Sequence, residues 1–197
     1  MQVKLNDKTL DIKASSVTSL KQILDEIERH VPDSAIITEV TLNGKQLEDN
    51  WMQKMDGIYV MEDDSLELKT RSAIELGREA FLRSQEQFRA IREDFEKIAE
   101  MFRLDDEVKA NSYLAQAVDN LQAYFRIIQE SLILMNRSFA DFTIDGNTAP
   151  QFMDSFSDKL SELIDIQKNK DWVLLADMIE YELLPLLQKV DSIYPQS

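Results

Sequence analysis

The residues best suited to chemistry are carboxylates near the end of the chain. Asp177 and Glu180 are three residues apart, so a helix would place them on one face, and Glu182 lies close by. Paired carboxylates of this kind offer oxygen ligands to a hard cation. No basic residue stands near them in the sequence, and such spacing is more often a solvated helix face. We therefore interpret Asp177 and Glu180 as part of an acidic interaction surface and predict no catalytic group here.

The sequence lacks the residues that other kinds of catalytic or metal site require. The chain has no cysteine, which excludes disulfides, thiolate catalysis and cysteine-bound metals, and it has a single histidine, His30. The Glu-x-x-His pairs of a two-metal helical bundle are absent, and Asp141, Asp145 and Asn147 are spaced too irregularly for a calcium loop. There is no glycine-rich phosphate loop and no serine elbow. The sequence therefore predicts a protein that is not an enzyme and that holds no metal and no cofactor.

The formal charge of −15 limits the partners that the chain can bind. Residues 1–70 carry a net −6 and residues 71–197 a net −9, and the second value arises entirely from residues 104–197. Both parts repel a phosphate backbone, so we expect no nucleic-acid partner. A basic protein partner fits this charge, although solubility alone would also account for it.

The start of the sequence shows no signal peptide, because no basic region is followed by an apolar run. No apolar stretch approaches the roughly 18 uncharged residues that would cross a membrane. We therefore expect a cytoplasmic protein that has no membrane partner.

In the first 70 residues, the apolar pattern alternates, becomes helical and alternates again. Residues on both sides of Asn6-Asp7-Lys8 alternate with polar ones, which predicts a β-hairpin. A helix is predicted next, with Ser15-Ser16-Val17-Thr18 as its capping segment and Pro32 at its end. The turn signal Asn43-Gly44 follows a β-branched strand. Two further strands are expected at residues 58–61 and 66–68.

The order of hairpin, helix, strand, turn, short element and strand is that of the β-grasp fold, and residues 1–70 resemble ubiquitin. The resemblance is carried by Met1-Gln2, by Gly44-Lys45-Gln46-Leu47-Glu48-Asp49 and by Ser65-Leu66-Glu67-Leu68. Ubiquitin-like modifiers and sulfur carriers act through a free C-terminal glycine pair, whereas here Thr70-Arg71-Ser72 continues into a helix. The resemblance therefore implies the fold, and it does not imply conjugation or sulfur transfer.

Two parts of the predicted β-grasp domain concern binding. The positions that match the apolar recognition patch of ubiquitin are Thr41, Glu67 and Lys69, which are polar, so the ubiquitin-receptor surface is predicted to be absent. Trp51 lies with two methionines in the crossover between strands. We expect these residues to close the end of the core or to face the helical domain, and a docking surface at Trp51 is the functional alternative.

The remaining residues, 71–197, predict an antiparallel four-helix bundle, which makes the whole chain α+β. An apolar residue recurs every seven positions at Ile74, Phe81, Phe88, Phe95 and Phe102. Pro185 lies inside the last helix, so a kink or a break is expected near residues 181–185. The predicted helices span about residues 72–102, 107–139, 150–168 and 171–194.

The phenylalanine stripe allows two interpretations. The first two helices are predicted to be longer than the last two, so part of the stripe could project past the bundle. Phe81 and Phe88 are then candidates for an interaction surface, and a homodimer through the first two helices is one hypothesis. The alternative, which the sequence favours, is that these rings fill the intramolecular core.

Two functional hypotheses follow from these features. The first is a non-catalytic protein-interaction protein, an adaptor or scaffold whose acidic helical surface meets a basic partner. The second is a cytoplasmic chaperone for an exported or appendage subunit, since small acidic helical proteins of the flagellar-chaperone kind look broadly similar. Such a chaperone would bind an amphipathic helix in a groove between its own helices. An enzyme is the least supported class.

Overall fold

The computed structural model describes residues 1–12, 17–48, 50–104 and 106–194. The chain is α+β and divides into two compact units, Met1–Leu76 and Gly77–Ser197. The second is called the helical unit below. The predicted boundary lies at residue 70, whereas the last strand of the first unit continues to Ser72. The predicted capping residues Ser15 and Ser16, and Asp49 at the end of the segment that resembles ubiquitin, lie outside the described residues.

The first unit contains seven strands and two helices among its described residues. Their bounds are β1 Gln2–Leu5, β2 Lys8–Leu10, β3 Val17–Ser19, α1 Leu20–Ile27, β4 Ala35–Leu42, β5 Lys45–Gln46, α2 Trp51–Lys54, β6 Tyr59–Met61 and β7 Ser65–Ser72. Five of the strands form a mixed sheet in the order β2-β1-β7-β4-β5, with β1 and β7 parallel at its centre. This is the strand order of the β-grasp fold, so the resemblance to ubiquitin in residues 1–70 holds at the level of the fold.

The tight turns of the first unit follow from residues that tolerate a positive φ. Asn6 and Asp7 have φ of 47° and 66° and join β1 to β2, while Asn43 and Gly44 have φ of 51° and 75° and join β4 to β5. Two consecutive positive φ angles define the turn whose twist matches that of a β-hairpin. Both predicted turns are present, and they set the register of the sheet.

The helix α1 begins later than its predicted capping segment. Val17 and Thr18 belong to β3, which pairs with β6, and the cap is Ser19, whose hydroxyl accepts from the Gln22 N–H while the Gln22 side chain accepts from the Ser19 N–H. This reciprocal capping box satisfies two otherwise unpaired donors. The predicted apolar face of α1 lies in the core: Leu20, Ile23, Leu24 and Ile27 are buried.

In the helical unit, the described residues form three long and two short α-helices and one short hairpin. Their bounds are α3 Ala73–Arg103, which begins within the last residues of the first unit, α4 Glu107–Leu134, β8 Thr143–Ile144, β9 Asn147–Thr148, α5 Ala149–Lys168, α6 Trp172–Met178 and α7 Leu184–Val190. A π-helical segment, Ile179–Leu183, joins α6 to α7. No helix in the described part of the chain is both long and apolar enough to span a membrane.

The second helix ends earlier than predicted, at Leu134 instead of residue 139. Asn136 adopts a φ of 54°, and the N–H groups of Asn136 and Arg137 donate to the carbonyls of Ile133 and Leu132. This pair of bonds is the Schellman arrangement, which terminates helices at a residue that tolerates the left-handed region. The apolar spacing continues past Asn136, and for this reason periodicity alone extends the helix too far.

The segment after α4 covers the start of the phenylalanine stripe. Phe142 packs against Phe81 with ring centroids 6.3 Å apart, and Asp145-Gly146 forms the predicted turn between β8 and β9. Phe88, Phe95 and Phe102 are at most 1% exposed. The rings therefore lie in the core of the helical unit, and the exposed stripe on which the homodimer hypothesis depended is absent from the described residues.

The interruption expected near residues 181–185 is found as the π-helical segment. Pro185 lies in the first turn of α7 and has no N–H to donate to the preceding turn. The Leu184 N–H donates to the Ile179 carbonyl, five residues back, so the wider turn keeps the backbone bonded ahead of the proline. The predicted single helix of residues 171–194 is thus two α-helices joined by a π-helical segment.

Candidate protein-interaction site

Asp177 and Glu180 do not form a free acidic pair. Arg103, at the end of α3, donates to Asp177 with an Nη2–Oδ1 distance of 2.8 Å and also pairs with Glu180. Hydrogen bonds with Asp177 and then Glu180 hold the pKa of Arg103 above its ordinary value. No basic residue stands near these carboxylates in the sequence, but the fold brings in Arg103 from more than seventy positions away. One guanidinium therefore offsets one of their two negative charges.

No group of three or more metal-ligating side chains is present among the residues that the structure describes. Within the same residues, nothing in the geometry points to catalysis.

The three aromatic candidates lie in the two cores. Phe81 and Phe88 are buried in the helical unit and Trp51 in the first unit, with 7%, 0% and 6% of their surfaces exposed. The Phe88 ring stacks on the Tyr124 ring with centroids 4.5 Å apart, and the centroids of Phe81 and Tyr194 are 5.0 Å apart. These contacts are those of core residues, and the rings themselves are not offered to a partner.

The exposed face of the five-stranded sheet is polar, as the sequence predicts. Lys4 pairs with Glu67 at 3.2 Å across β1 and β7, and Lys69 pairs with Glu39 at 2.7 Å across β7 and β4. The hydrogen bond with Glu39 raises the pKa of Lys69. Charged pairs therefore occupy the place where ubiquitin has an apolar patch.

An open groove of about 340 Å³ runs between α4 and α5, and it is called the α4–α5 groove below. Leu121 and Phe125 from α4 and Phe156 from α5 are buried at its base, where the two rings meet edge to face at 5.9 Å. Its sides and rim are Val118, Gln122, Arg126, Gln129, Met153, Ser157 and Leu160. The groove therefore has an apolar base and a polar rim.

The sequence explains why α4 can form both a core face and a groove. The apolar residues of α4 cover a broad arc, and a helix with so broad an arc contacts more than one neighbour. Val118, Leu121 and Phe125 belong to the main apolar stripe. Sequence reasoning missed Met153, which precedes Phe156 by three residues and thus lies on the same face of α5. This spacing is the signal that would have found it.

The solvent-exposed side of α5 carries most of the charge near the groove. Four carboxylates on this helix are exposed: Asp154, Asp158, Glu162 and Asp165. Two of them have lysine partners. Lys159 Nζ lies 3.1 Å from Glu162 Oε2, and Lys168 Nζ lies 2.9 Å from Asp165 Oδ1. Arg126 is the basic residue on the α4 side of the groove. Arg126 is thus the charged residue of the groove's lining, and the exposed carboxylates of α5 lie outside that lining.

Comparison with known proteins shows a family for the helical unit. A family model described as a domain of unknown function, DUF8042, matches residues 79–193, which is more than half of the chain and nearly all of the helical unit. The crystal structure of the thiamine biosynthesis protein ThiS from Geobacter metallireducens is 20% identical, with a TM-score of 0.25, over 34% of this chain and 90% of that chain. No curated protein matched the sequence.

Proposed function

The chain belongs to the DUF8042 family of domains of unknown function, and from this premise we propose that its helical unit binds protein partners within a non-catalytic adaptor or scaffold. The observation that supports this proposal is the α4–α5 groove. The groove opens between two helices, with the half-buried Val118, Met153 and Leu160 beside its buried base, and an amphipathic helix of a partner can place its apolar face in a groove of this kind.

The chemistry of the groove favours a particular kind of helix. The groove would receive aliphatic or aromatic side chains, which bury apolar area against the half-buried Val118, Met153 and Leu160. The exposed carboxylates of α5 would attract lysine or arginine on the flank of that helix. We therefore propose a partner helix with an apolar face and a basic flank, which agrees with the net −9 of residues 104–197.

Affinity capture from a lysate, followed by mass spectrometry, tests this proposal with two matched variants. Met153→Asp places a charge in the groove, whereas Ile164→Asp places the same charge on the same helix at a residue that is 49% exposed and outside the groove. We expect Met153→Asp to weaken capture of a partner by about tenfold and Ile164→Asp to leave it unchanged. Equal capture by both variants, with native circular dichroism, would contradict the proposal.

The chaperone is a second candidate, because the same groove could receive an amphipathic helix of an unfolded client. The two functions differ in the state of the partner. An adaptor binds a folded partner, whereas a chaperone binds the isolated helical segment and prevents aggregation of the full-length client. Light scattering of the captured partner during refolding, with and without the chain, separates them.

We also propose that α6, the π-helical segment and α7 act as one helix, which makes the helical unit an antiparallel four-helix bundle. Continuous backbone bonding through Leu184 supports this view. The homodimer and the cytoplasmic location stay predictions. Light scattering at high concentration and fractionation of cells that express the tagged chain test them.

A further inference from the structure

One side of β4 has no neighbouring strand over most of its length. On one side β4 pairs with β7 from Ala35 to Leu42, with a register shift between Ile37 and Glu39. On the other side β5 pairs only with Thr41 and Leu42, and the Leu47 N–H donates to the Val40 carbonyl. In the described part of the first unit, no other strand lies beside β4. An unpaired strand edge presents backbone donors and acceptors in a row, which is a template for an added strand.

The pairing pattern shows which peptide groups point to this free side. The Ser34 carbonyl accepts from the Ala73 N–H on the β7 side, at 2.8 Å. Residues of an antiparallel ladder alternate in the side to which their peptide groups point, so Ser34 and Ile36 face β7 while Ala35 and Ile37 face the free side. Among the described residues, none hydrogen-bonds to the Ile37 peptide from that side.

An apolar cleft of about 360 Å³ lies beside this free edge, and with the edge it is called the β4 cleft. The end of α1, the start of β4 and α2 line it. Trp51 and Leu24 are buried there, each 6% exposed, while Met52 is 48% exposed. The cleft can therefore receive an apolar side chain from a strand that pairs with β4. This gives Trp51 a place at a binding site, although its ring belongs to the core.

The rim of the β4 cleft is acidic. Asp25 and Glu28 line it and are exposed, and neither has an ion-pair partner among the described residues. A second copy of this chain would bring another net charge of −15 to the same place. Charge complementarity therefore favours a basic segment of another protein over a second copy.

We propose that the β4 cleft binds an extended peptide that carries both apolar and basic residues on one face, two positions apart, and adds a strand to β4. The Ile37 peptide pairs with the backbone of the ligand, the cleft takes one of its apolar side chains, and Asp25 and Glu28 pair with its lysine or arginine. This site is in the first unit and needs a strand, so it is independent of the α4–α5 groove, which needs a helix.

The test uses the full chain and a fluorescent peptide in which valine and lysine take turns at every second position, with serine between them, so that both lie on one face of a strand. Fluorescence anisotropy measures affinity, and amide hydrogen exchange followed by NMR reports the Ile37 N–H. We expect saturable binding, slower exchange at Ile37 and shifts confined to the β4 cleft. N-methylation of every residue removes the backbone donors of the peptide and is expected to weaken binding by about tenfold. The same peptide with glutamate in place of lysine is expected not to bind.

Matched protein variants test the role of the acidic rim of the β4 cleft. Asp25→Lys combined with Glu28→Lys is expected to weaken peptide binding by about tenfold. Glu26→Lys combined with Glu62→Lys makes the same change in net charge outside the cleft, and it is expected to change the affinity for the peptide less than twofold. All four residues are exposed, so both variants should fold, and their amide spectra verify this. Equal weakening by both variants, unaltered affinity for the N-methylated peptide, shifts confined to the helical unit or self-association through β4 would each overturn the proposal.

Discussion

The core of the first unit contains no buried polar side chain among the residues that the structure describes, whereas the core of the helical unit encloses Ser84 and Ser131. The first core is aliphatic, with Trp51 as its one aromatic residue. The second core contains most of the phenylalanines and two buried tyrosines, Tyr124 and Tyr194. The first unit therefore depends on packing and on turn geometry, and the second also depends on directional contacts in its interior.

The hydroxyl groups in the helical unit form a chain with a defined direction. The Ser84 hydroxyl donates to the Phe81 carbonyl at 2.7 Å, so its oxygen accepts from the Tyr194 hydroxyl, also at 2.7 Å. The Tyr194 oxygen in turn accepts from the Tyr124 hydroxyl at 2.8 Å. The chain joins α3, α4 and the residues after α7. A core built in this way fixes one arrangement of its helices, and an aliphatic core is more tolerant of rearrangement.

The largest effect is expected from Phe88→Ala. The ring is fully buried and stacks on Tyr124, so its removal leaves a cavity beside the hydroxyl chain. We expect the free energy of unfolding to fall by about 3–5 kcal/mol, measured by urea denaturation. Ile74→Ala, in the same stripe but 47% exposed, is the control, with an expected change of about 0.5 kcal/mol. Similar losses for the two variants would show that the stripe is not a core.

A smaller loss of stability is expected from Gly77→Ala, although glycine-to-alanine changes within helices normally raise stability. Alanine normally stabilises a helix interior by about 1 kcal/mol relative to glycine. Here a Cβ would lie 2.6 Å from the Ser131 carbonyl oxygen and 2.9 Å from the Leu134 Cβ, so α3 and α4 would have to separate. We expect a net loss of about 1–3 kcal/mol by thermal and urea denaturation.

Gly57→Ala is the matched control from the first unit, because a Cβ there meets nothing within 4 Å. A gain in stability for Gly77→Ala would show that the close approach of α3 and α4 is not a constraint. The helical unit would then tolerate an added methyl group at this position as well as the first unit does.

More of the structure of the first unit than of the helical unit could be predicted from the sequence. Turn residues such as Asn43-Gly44 have a local preference that no distant contact overrides, so hairpins and their register were predictable. Periodicity likewise predicted that Phe88 and Leu121 face one interior. The end of α4 was not predictable from periodicity, because Asn136 ends the helix while the apolar spacing continues.

The candidate sites were less predictable, because they depend on distances between residues far apart in the chain. Nothing in the sequence places Arg103 beside Asp177, or leaves the β4 edge free while β5 stops after two residues. The α4–α5 groove was predictable only as a broad apolar face on α4. Its volume depends on how closely α5 approaches, which is a result of packing.

The smallest effect is expected from Tyr194→Phe, which tests the hydroxyl chain alone. The change keeps the ring but leaves the Ser84 oxygen without a donor and the Tyr124 hydroxyl without an acceptor. We expect a loss of about 1 kcal/mol near neutral pH. Tyr59→Phe, at a residue that is 60% exposed, is the control and should change nothing measurable.

The pH dependence makes this test specific to the hydroxyl. Burial raises the pKa of Tyr194 above its ordinary value of 10.0, and burial also raises the pKa of Tyr124. A group whose pKa is raised by folding stabilises the native state fully below pH 10 and loses that contribution as the pH rises, because the unfolded chain ionises first. Above pH 10 each such tyrosine should cost about 1.4 kcal/mol per pH unit. Tyr194→Phe should therefore flatten the alkaline fall in melting temperature, and an unchanged slope would show that Tyr194 ionises freely in the native protein.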